Sequence, residues 1–325
     1  MTRAWAVGLD MGGTNIRCAA VSVAGEVLLL EHGPSLASRD ASAVAENISA
    51  QTLHLLDTAR RRGLGSPRAI GVAVPGPLNV HTGTVMQAPH VAAWRGYPLR
   101  RRLEALIGRQ IVLDNDANAW ALGEYWRGAA RGRRDVVLLT LGTGVGGGLI
   151  VGGKLVYGRS GMAGELGHVT VNPIGPPCDC GSHGCLESYA SASGLRGLIE
   201  QRLGSPPGTP LPADLLDPEG NFSVRALSAQ ARGGDQVALE AFATAGNYLG
   251  IAIASFINAF NPELVVIGGG VAAALPYMRK SMTAQVRARA FTAMARDAKI
   301  VRAALGPRGG VVGAAYAALH PPART

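Results

Sequence analysis

Twice in this chain an apolar run breaks into glycines and then resumes, and that repetition constrains the fold more than any other feature. Residues 4–10 (AWAVGLD) run apolar to Asp10, Gly12-Gly13-Thr14 turns the chain, and residues 16–23 are apolar again. A further strand is expected near 27–30. Later, residues 136–140 lead into Gly142-Thr143-Gly144-Val145-Gly146-Gly147-Gly148, with strands expected at 149–151 and 154–157. Each glycine hairpin therefore opens a three-strand meander. Successive backbone N–H groups in such turns form a concavity for an anion, and the missing Cβ lets a phosphate approach. Five glycines in seven residues are more than turning alone requires. Other nucleotide loops fit less well. GTGVGG satisfies G-x-G-x-x-G, but a strand follows it rather than a helix, and the nearest Walker A candidate has Leu155 where Ser or Thr must hold magnesium.

Between Ala163 and Glu187 the chain reads AGELGHVTVNPIGPPCDCGSHGCLE. Three of its four cysteines lie here: Cys178, Cys180 and Cys185, spaced C-x-C-x4-C, with His168 ten residues before the first. Thiolates this close can wrap one Zn2+ with an imidazole as fourth ligand, and four protein ligands make the ion structural rather than catalytic. Gly181 and Gly184 permit the backbone angles of such a wrap. His183, inside the loop, is the alternative fourth ligand. The start, MTRAWAVGLD, lacks the basic-then-apolar pattern of an export signal, so a cytoplasmic setting with reduced thiols is expected and metal is favoured over cystine. Glu165 and Glu187 bracket the cluster as acceptors for a polyhydroxylated ligand.

The remaining elements alternate helix and strand. Residues 43–62 carry helical spacing at Val44, Ile48, Leu53 and Leu56; residues 70–74 form a buried strand ending at Pro75-Gly76-Pro77. A helix over 99–107 and a strand at 111–113 lead into Asp114-Asn115-Asp116-Ala117-Asn118, which opens a helix running to 126. Asp114 is read as the cap of that helix. Asp116 stands where free N–H groups favour a negative charge. Residues 206–222 form a Pro- and Gly-rich surface loop, and 235–260 a long apolar helix whose Ala243, Gly246, Gly250 and Ala254 allow close helix approach. A strand over 263–267 ends at Gly268-Gly269-Gly270, and a small-residue helix covers 311–319. Cys18, in an apolar strand, is core.

At 325 residues the chain is long enough for two domains. No apolar run approaches the roughly 18 residues of a membrane span. The net charge of +9 is nearly all arginine, with clusters at 60–62, 100–102 and 131–134. No aromatic residues interleave with them and no helix-turn-helix or zinc-finger pattern accompanies them, so neither nucleic acid nor membrane is an expected partner.

The motifs DMGGTNIR, VPGP, NDAN, TLGTGVGGG, AGELGH, CDCGSHGCLE and VIGGG, in this order, resemble those of the ROK family (repressors, open reading frames and sugar kinases). The duplicated hairpins also resemble the actin, Hsp70 and hexokinase ATPase architecture. The resemblance implies a two-domain α/β fold: a small domain over 1–115 completed by the C-terminal helix of about 310–325, and a large domain over 116–309 carrying the zinc loop. It implies ATP with Mg2+, gripped by Asp10, Gly12, Gly13, Thr14, Asn15, Thr143 and Gly144, with adenine and ribose resting on Gly268, Gly269 and Gly270. It implies a sugar held by Gly76, His90, Asn115, Asp116, Glu165, His168 and Glu187, and Asp116 as general base. His168, Cys178, Cys180 and Cys185 are the implied zinc ligands. The implied reaction is phosphorylation of a hexose at its 6-OH, glucose ranking before N-acetylmannosamine, fructose or another hexose, by a homodimer or homotetramer. His90 replaces the asparagine usual in the family's glucokinases. The family's other branch, sugar-sensing repressors, carries an N-terminal helix-turn-helix for which the hairpin at Asp10 leaves no expected room.

Overall fold

The computed structural model describes residues 4–87 and 94–321. The chain divides into two compact units. The first takes the chain up to Arg133, Gly148–Gly164 and everything from Ala303 onward; the second takes Arg134–Gly147 and Glu165–Arg302.

In the first unit, β1 (Trp5–Met11), β2 (Asn15–Ser22) and β3 (Val27–Pro34) form the expected antiparallel meander. After α1 (Ala41–Arg61), β4 (Ile70–Val74) joins β1 in parallel. A short ribbon follows, β5 (Leu78–Asn79) with β6 (Thr84–Val85), and then α2 (Leu99–Ile107). The chain returns as β7 (Val112–Asn115), which completes a sheet of order β3-β2-β1-β4-β7 and runs straight into α3 (Asp116–Arg127). All seven residues of β1 are buried, as a central strand covered on both faces must be. Asp40 starts α1 by accepting the N–H groups of Ser42 and Ala43, both at 2.9 Å, and Val44, Ile48 and Leu55 of that helix reach the core beside Leu9 and Ile16.

The second sheet repeats the plan. β8 (Val136–Leu141), β9 (Val145–Val151) and β10 (Lys154–Leu155) form its meander. The helices of the second unit follow: α4 (Glu187–Ala190), α5 (Ala192–Arg202), α6 (Val224–Arg232) and α7 (Gln236–Phe260). β11 (Leu264–Gly268) then pairs in parallel with β8, and beyond α8 (Leu275–Arg289) and α9 (Thr292–Asp297), β12 (Lys299–Arg302) pairs with β11. The order is β10-β9-β8-β11-β12, a meander extended by parallel strands, as in the first sheet.

In α7 Gly246 and Gly250 act as expected, whereas Ala243 is exposed: a Cβ added at Gly246 would lie 2.5 Å from the Met278 carbonyl oxygen of α8, and one at Gly250 2.4 Å from that of Met282. The helix has 25 residues, and an 18-residue stretch of it reaches a mean hydropathy of 1.4, long and apolar enough to cross a membrane, although the sequence shows no unbroken apolar run of that length. Much of that surface is instead buried by α8, α5 and α4.

The last helix, α10 (Gly309–Leu319), packs on β1, β4 and α3. Its approach is close enough that only glycine fits opposite it. A Cβ at Gly8 or Gly71 would lie 1.9 Å from the carbonyl oxygens of Val311 and Ala314 respectively, and one at Gly313 would lie 1.6 Å from that of Ala119 in α3. These contacts place α3 in the first unit, so the domain boundary drawn at 115/116 falls inside that unit.

Candidate active site

The first turn joins β1 to β2 with the Gly12 N–H donating to the Asn15 carbonyl at 2.9 Å. Gly12 and Gly13 do not have positive φ. A Cβ at Gly13 would meet nothing within 4 Å, and one at Gly12 only the Asn15 carbonyl oxygen at 3.5 Å. The fold does not need glycine at either place, and the space the missing Cβ leaves is open to a ligand. Thr14 and Asn15 are exposed beside them.

Asp10, at the end of β1, is only 4% exposed. Arg17, opposite it in register, stands 3.9 Å away, and a Cβ at Gly310 would lie 2.3 Å from the carboxyl carbon. Burial pushes the Asp10 pKa up to about 6, against the opposing charge of Arg17 and a hydrogen bond from Trp120. A buried carboxyl so incompletely compensated suits a bound cation. Folding without that cation takes up a proton at Asp10, whose ordinary pKa is 3.8. The stability gained is complete below about pH 4 and is lost as pH rises through about 6; the gap is worth up to about 3 kcal/mol. In buffer free of Mg2+ and nucleotide, the parent chain is expected to lose roughly that much stability relative to Asp10→Asn between pH 4 and pH 7. Urea unfolding of both chains measures it, and a pH-independent difference would sink this account.

The second turn is shorter than its glycine run. β9 begins at Val145, leaving Gly142–Gly144 as the turn, and the last glycines serve packing: a Cβ at Gly148 would lie 2.6 Å from that of Ala121. Of the later glycine triplet, Gly268 closes β11. Gly269 is required by a φ of +86° and by the Leu141 carbonyl oxygen 2.2 Å from its would-be Cβ. Gly270 is exposed, with nothing near that position.

At the start of α3 the cap is Asn115 rather than Asp114. Asn115 Oδ1 accepts the N–H groups of Ala117 at 2.9 Å and Asn118 at 3.2 Å, and its Nδ2 donates to the Gly76 carbonyl at 3.1 Å. Two lone pairs and one amide hydrogen are thereby used, so Asn115 retains one N–H to offer a ligand. Gly76 holds a φ of +89°. Asp116 is half-buried at the first helical position, its Oδ1 accepting the Ala117 N–H at 2.9 Å.

Asp114 is 2% exposed and serves as a hydrogen-bond hub. Tyr157 donates its hydroxyl at 2.7 Å, Asn118 its amide at 3.0 Å, and Asn115 its backbone N–H at 2.8 Å. Burial pushes this carboxyl up and the three donors hold it back. Buried Cys18 is core, its thiol likewise pushed up by burial.

In the second unit, ligand atoms of His168, Cys178, Cys180 and Cys185 lie within 4.8 Å of one another. Cys178 Sγ stands 3.6 Å from His168 Nδ1, and the sulfurs of Cys180 and Cys185 are 3.6 Å apart. Donors on a tetrahedral Zn2+ with bonds of about 2.3 Å stand about 3.8 Å apart, so the set fits zinc. His183 is exposed and lies outside the cluster. The loop is shaped by its own backbone: Cys178 N–H donates to Ser182, Gly181 N–H to Cys178, and Val171 and Asn172 N–H to Gly184. Gly184 is obligatory, since a Cβ there would lie 1.6 Å from the Asn172 carbonyl oxygen. Glu165 Oε2 faces His168 Nε2 at 3.9 Å. Glu187 has Oε1 4.0 Å from Cys178 Sγ, while its Oε2 accepts the Val145 N–H at 2.8 Å.

Thus Gly76, Asn115 and Asp116 form one group in the first unit, and Glu165, His168 and Glu187 gather at the cysteines in the second. His90 lies outside the described residues. Tyr157, Asn118, Trp120 and Ser193 also belong to these networks without having been singled out from sequence. Tyr157, Trp120 and Ser193 stand among apolar or small residues, and Asn118 closes the polar run that begins at Asp114.

A model of the ROK family matches residues 6–320. A glucokinase from Halalkalibacterium halodurans is 37% identical over 97% of this chain and 95% of its own length. The crystal structure of a ROK hexokinase from Thermus thermophilus is similar with TM-score 0.80 at 33% identity, covering 97% of this chain and 98% of its own. A ROK family glucokinase from Streptomyces griseus, crystallised in complex with glucose and AMPPNP, has TM-score 0.79 at 34% identity over 98% of this chain and 100% of its own.

Proposed function

The chain belongs to the ROK family, and on that footing we propose that it is an ATP-dependent hexokinase, a cytoplasmic enzyme converting glucose to glucose 6-phosphate. The reading is carried by likeness over 97% of the chain to a glucokinase. The open glycine positions of the first turn agree with it.

Asp116 accepts the proton of the sugar 6-OH as that oxygen attacks the γ-phosphorus of ATP, and ADP leaves. Asn115 orients the sugar through its remaining amide hydrogen, beside Gly76. Glu165 and Glu187 accept sugar hydroxyls and the zinc-bound His168 donates its other ring N–H to a sugar oxygen, which fixes the attacking oxygen. The backbone of Gly12, Gly13, Thr14, Asn15, Thr143 and Gly144 receives phosphate oxygens, and Gly270 leaves room for the nucleoside. Asp10 would hold the Mg2+ that accompanies ATP, an ion that would supply charge neutralisation at the phosphates. Zn2+ on His168, Cys178, Cys180 and Cys185 is structural, its four protein ligands leaving no open position. A homodimer or homotetramer is the assembly expected of such an enzyme.

A coupled ADP-release assay over glucose, N-acetylmannosamine, fructose and mannose, with ATP and polyphosphate compared, tests the reading. Glucose with ATP is expected to give the highest kcat/KM. Turnover of none of these sugars with either donor would end the kinase assignment.

A further inference from the structure

The two glycine turns, alike in sequence, differ in what lies on the side where a Cβ would stand. At Gly13 that side is open, and at Gly12 only the Asn15 carbonyl oxygen comes near, at 3.5 Å. In the second turn Gly142 is also open, its nearest neighbour 3.9 Å away. Gly144 is not. A Cβ there would lie 2.3 Å from Glu187 Oε2, 3.2 Å from its Cδ and 3.9 Å from its Oε1. The φ of Gly144 is not positive, so its backbone tolerates alanine. What fills the space is the Glu187 carboxylate.

The next residue completes the seat. Val145 N–H donates to the same Oε2 at 2.8 Å, and a bond to a charged acceptor is stronger than one between neutral groups. A Cβ at Gly167, beside the zinc ligand His168, would lie 1.9 Å from the Val145 carbonyl oxygen. The residue that holds the carboxylate is thus itself packed on the metal loop. On the other side, Ser191 Oγ donates to the Glu187 carbonyl at 2.6 Å, and a Cβ at Gly194 would lie 2.8 Å from that oxygen. The Glu187 backbone has no room to withdraw, so a methyl group at Gly144 can be relieved only by turning the carboxylate away. Turning the end of one side chain leaves the fold intact. For a group that orients a substrate it matters, because a misplacement of about 1 Å can cost about 100-fold in rate.

Resting on the kinase reading above, we propose that Gly144 is a positioning residue for the sugar: its missing side chain is the space in which Val145 N–H holds the Glu187 carboxylate. The second glycine turn then serves both ligands. The backbone N–H groups of Thr143 and Gly144 face phosphate, and the Cβ side of Gly144 belongs to the sugar acceptor.

Steady-state kinetics, with calorimetric titration of glucose and of a non-hydrolysable ATP analogue with Mg2+, test this on the parent, Gly144→Ala, Glu187→Ala and the double variant. Zinc content is measured on each. Gly144→Ala should raise the glucose dissociation constant, measured without nucleotide, at least about tenfold, the lower end of what a hydrogen bond to a charged group contributes. Because alanine keeps every backbone N–H of the turn, affinity for the analogue should stay within about threefold, and zinc content should not change. In the Glu187→Ala background, adding Gly144→Ala should alter kcat/KM for glucose by less than about twofold, since the methyl group then has nothing to displace. An undiminished cost in that background, unchanged glucose affinity in Gly144→Ala, or a loss confined to the analogue would each overturn the proposal. So would failure of both Gly144→Ala and the double variant to fold, because the methyl group would then meet something other than the carboxylate. Failure of Gly144→Ala alone, relieved in the double variant, would support it. A parent that neither binds nor turns over glucose would overturn the kinase reading itself, a result distinct from glucose binding that is indifferent to Gly144.

Discussion

Asp116→Asn is expected to lower kcat by about 10²–10⁴-fold, the usual contribution of a positioned general base, while the sugar dissociation constant stays within about threefold. The carboxamide keeps the shape of the side chain and the acceptor that the Ala117 N–H now uses at 2.9 Å, so the start of α3 should form as before. What it removes is the capacity to take the proton from the attacking hydroxyl. A loss confined to kcat marks an interaction made in the transition state alone, whereas loss of sugar binding would mark a ground-state contact. Asp114 is not a substitute for it. That carboxyl is buried and engaged by Tyr157, Asn118 and Asn115, and it has no exposed face from which to meet a substrate. Steady-state kinetics with direct binding of glucose separate these outcomes, and unchanged turnover would remove Asp116 as the base.

Removing the metal should have an effect of similar size by a different route. Cys180→Ala leaves three of the four donors. Structural zinc contributes of the order of 10–16 kcal/mol in isolated zinc-finger peptides. Here the loop is also held by backbone bonds such as Cys178 N–H to Ser182 at 2.8 Å and by the buried Cys185. The expected result is therefore local rather than global: stoichiometric zinc is lost, backbone exchange rises across residues 170–187, and the sheets stay protected. Because Glu187 and His168 stand on that loop and Glu187 also holds the Val145 N–H of the second turn, kcat/KM should fall at least about 100-fold. Parent protein that contains no stoichiometric metal, or chelation that removes the metal without loss of activity, would show that the cluster does not brace the site.

The parts of this protein legible in its sequence are those in which chemistry and covalent proximity coincide. Cys178, Cys180 and Cys185 lie within eight residues of one another, so a single loop can gather them with little chain to order. The glycine turns were legible for the same reason, since each is a local break in an apolar strand. The helix beginning at Asp116 carried its capping signal in adjacent residues, although sequence alone assigned the cap to Asp114 and the structure assigns it to Asn115. Both are polar residues with side-chain acceptors, and only the direction in which β7 delivers them to the helix distinguishes cap from hub.

What tertiary structure decided depends on partners far apart along the chain. Tyr157 reaches Asp114 across 43 positions, and Val145 reaches Glu187 across 42. No local propensity encodes such pairs, because they exist only once packing has brought their elements together. The unit to which α3 belongs was settled in the same way, by the backbone-to-glycine approach of Gly313 to Ala119 and of Gly8 to Val311. Residue type and spacing determined which chemistry this chain carries and in which loops. Steric fit between distant backbones decided how those loops are braced, because a missing Cβ matters only when a neighbour arrives to fill its place.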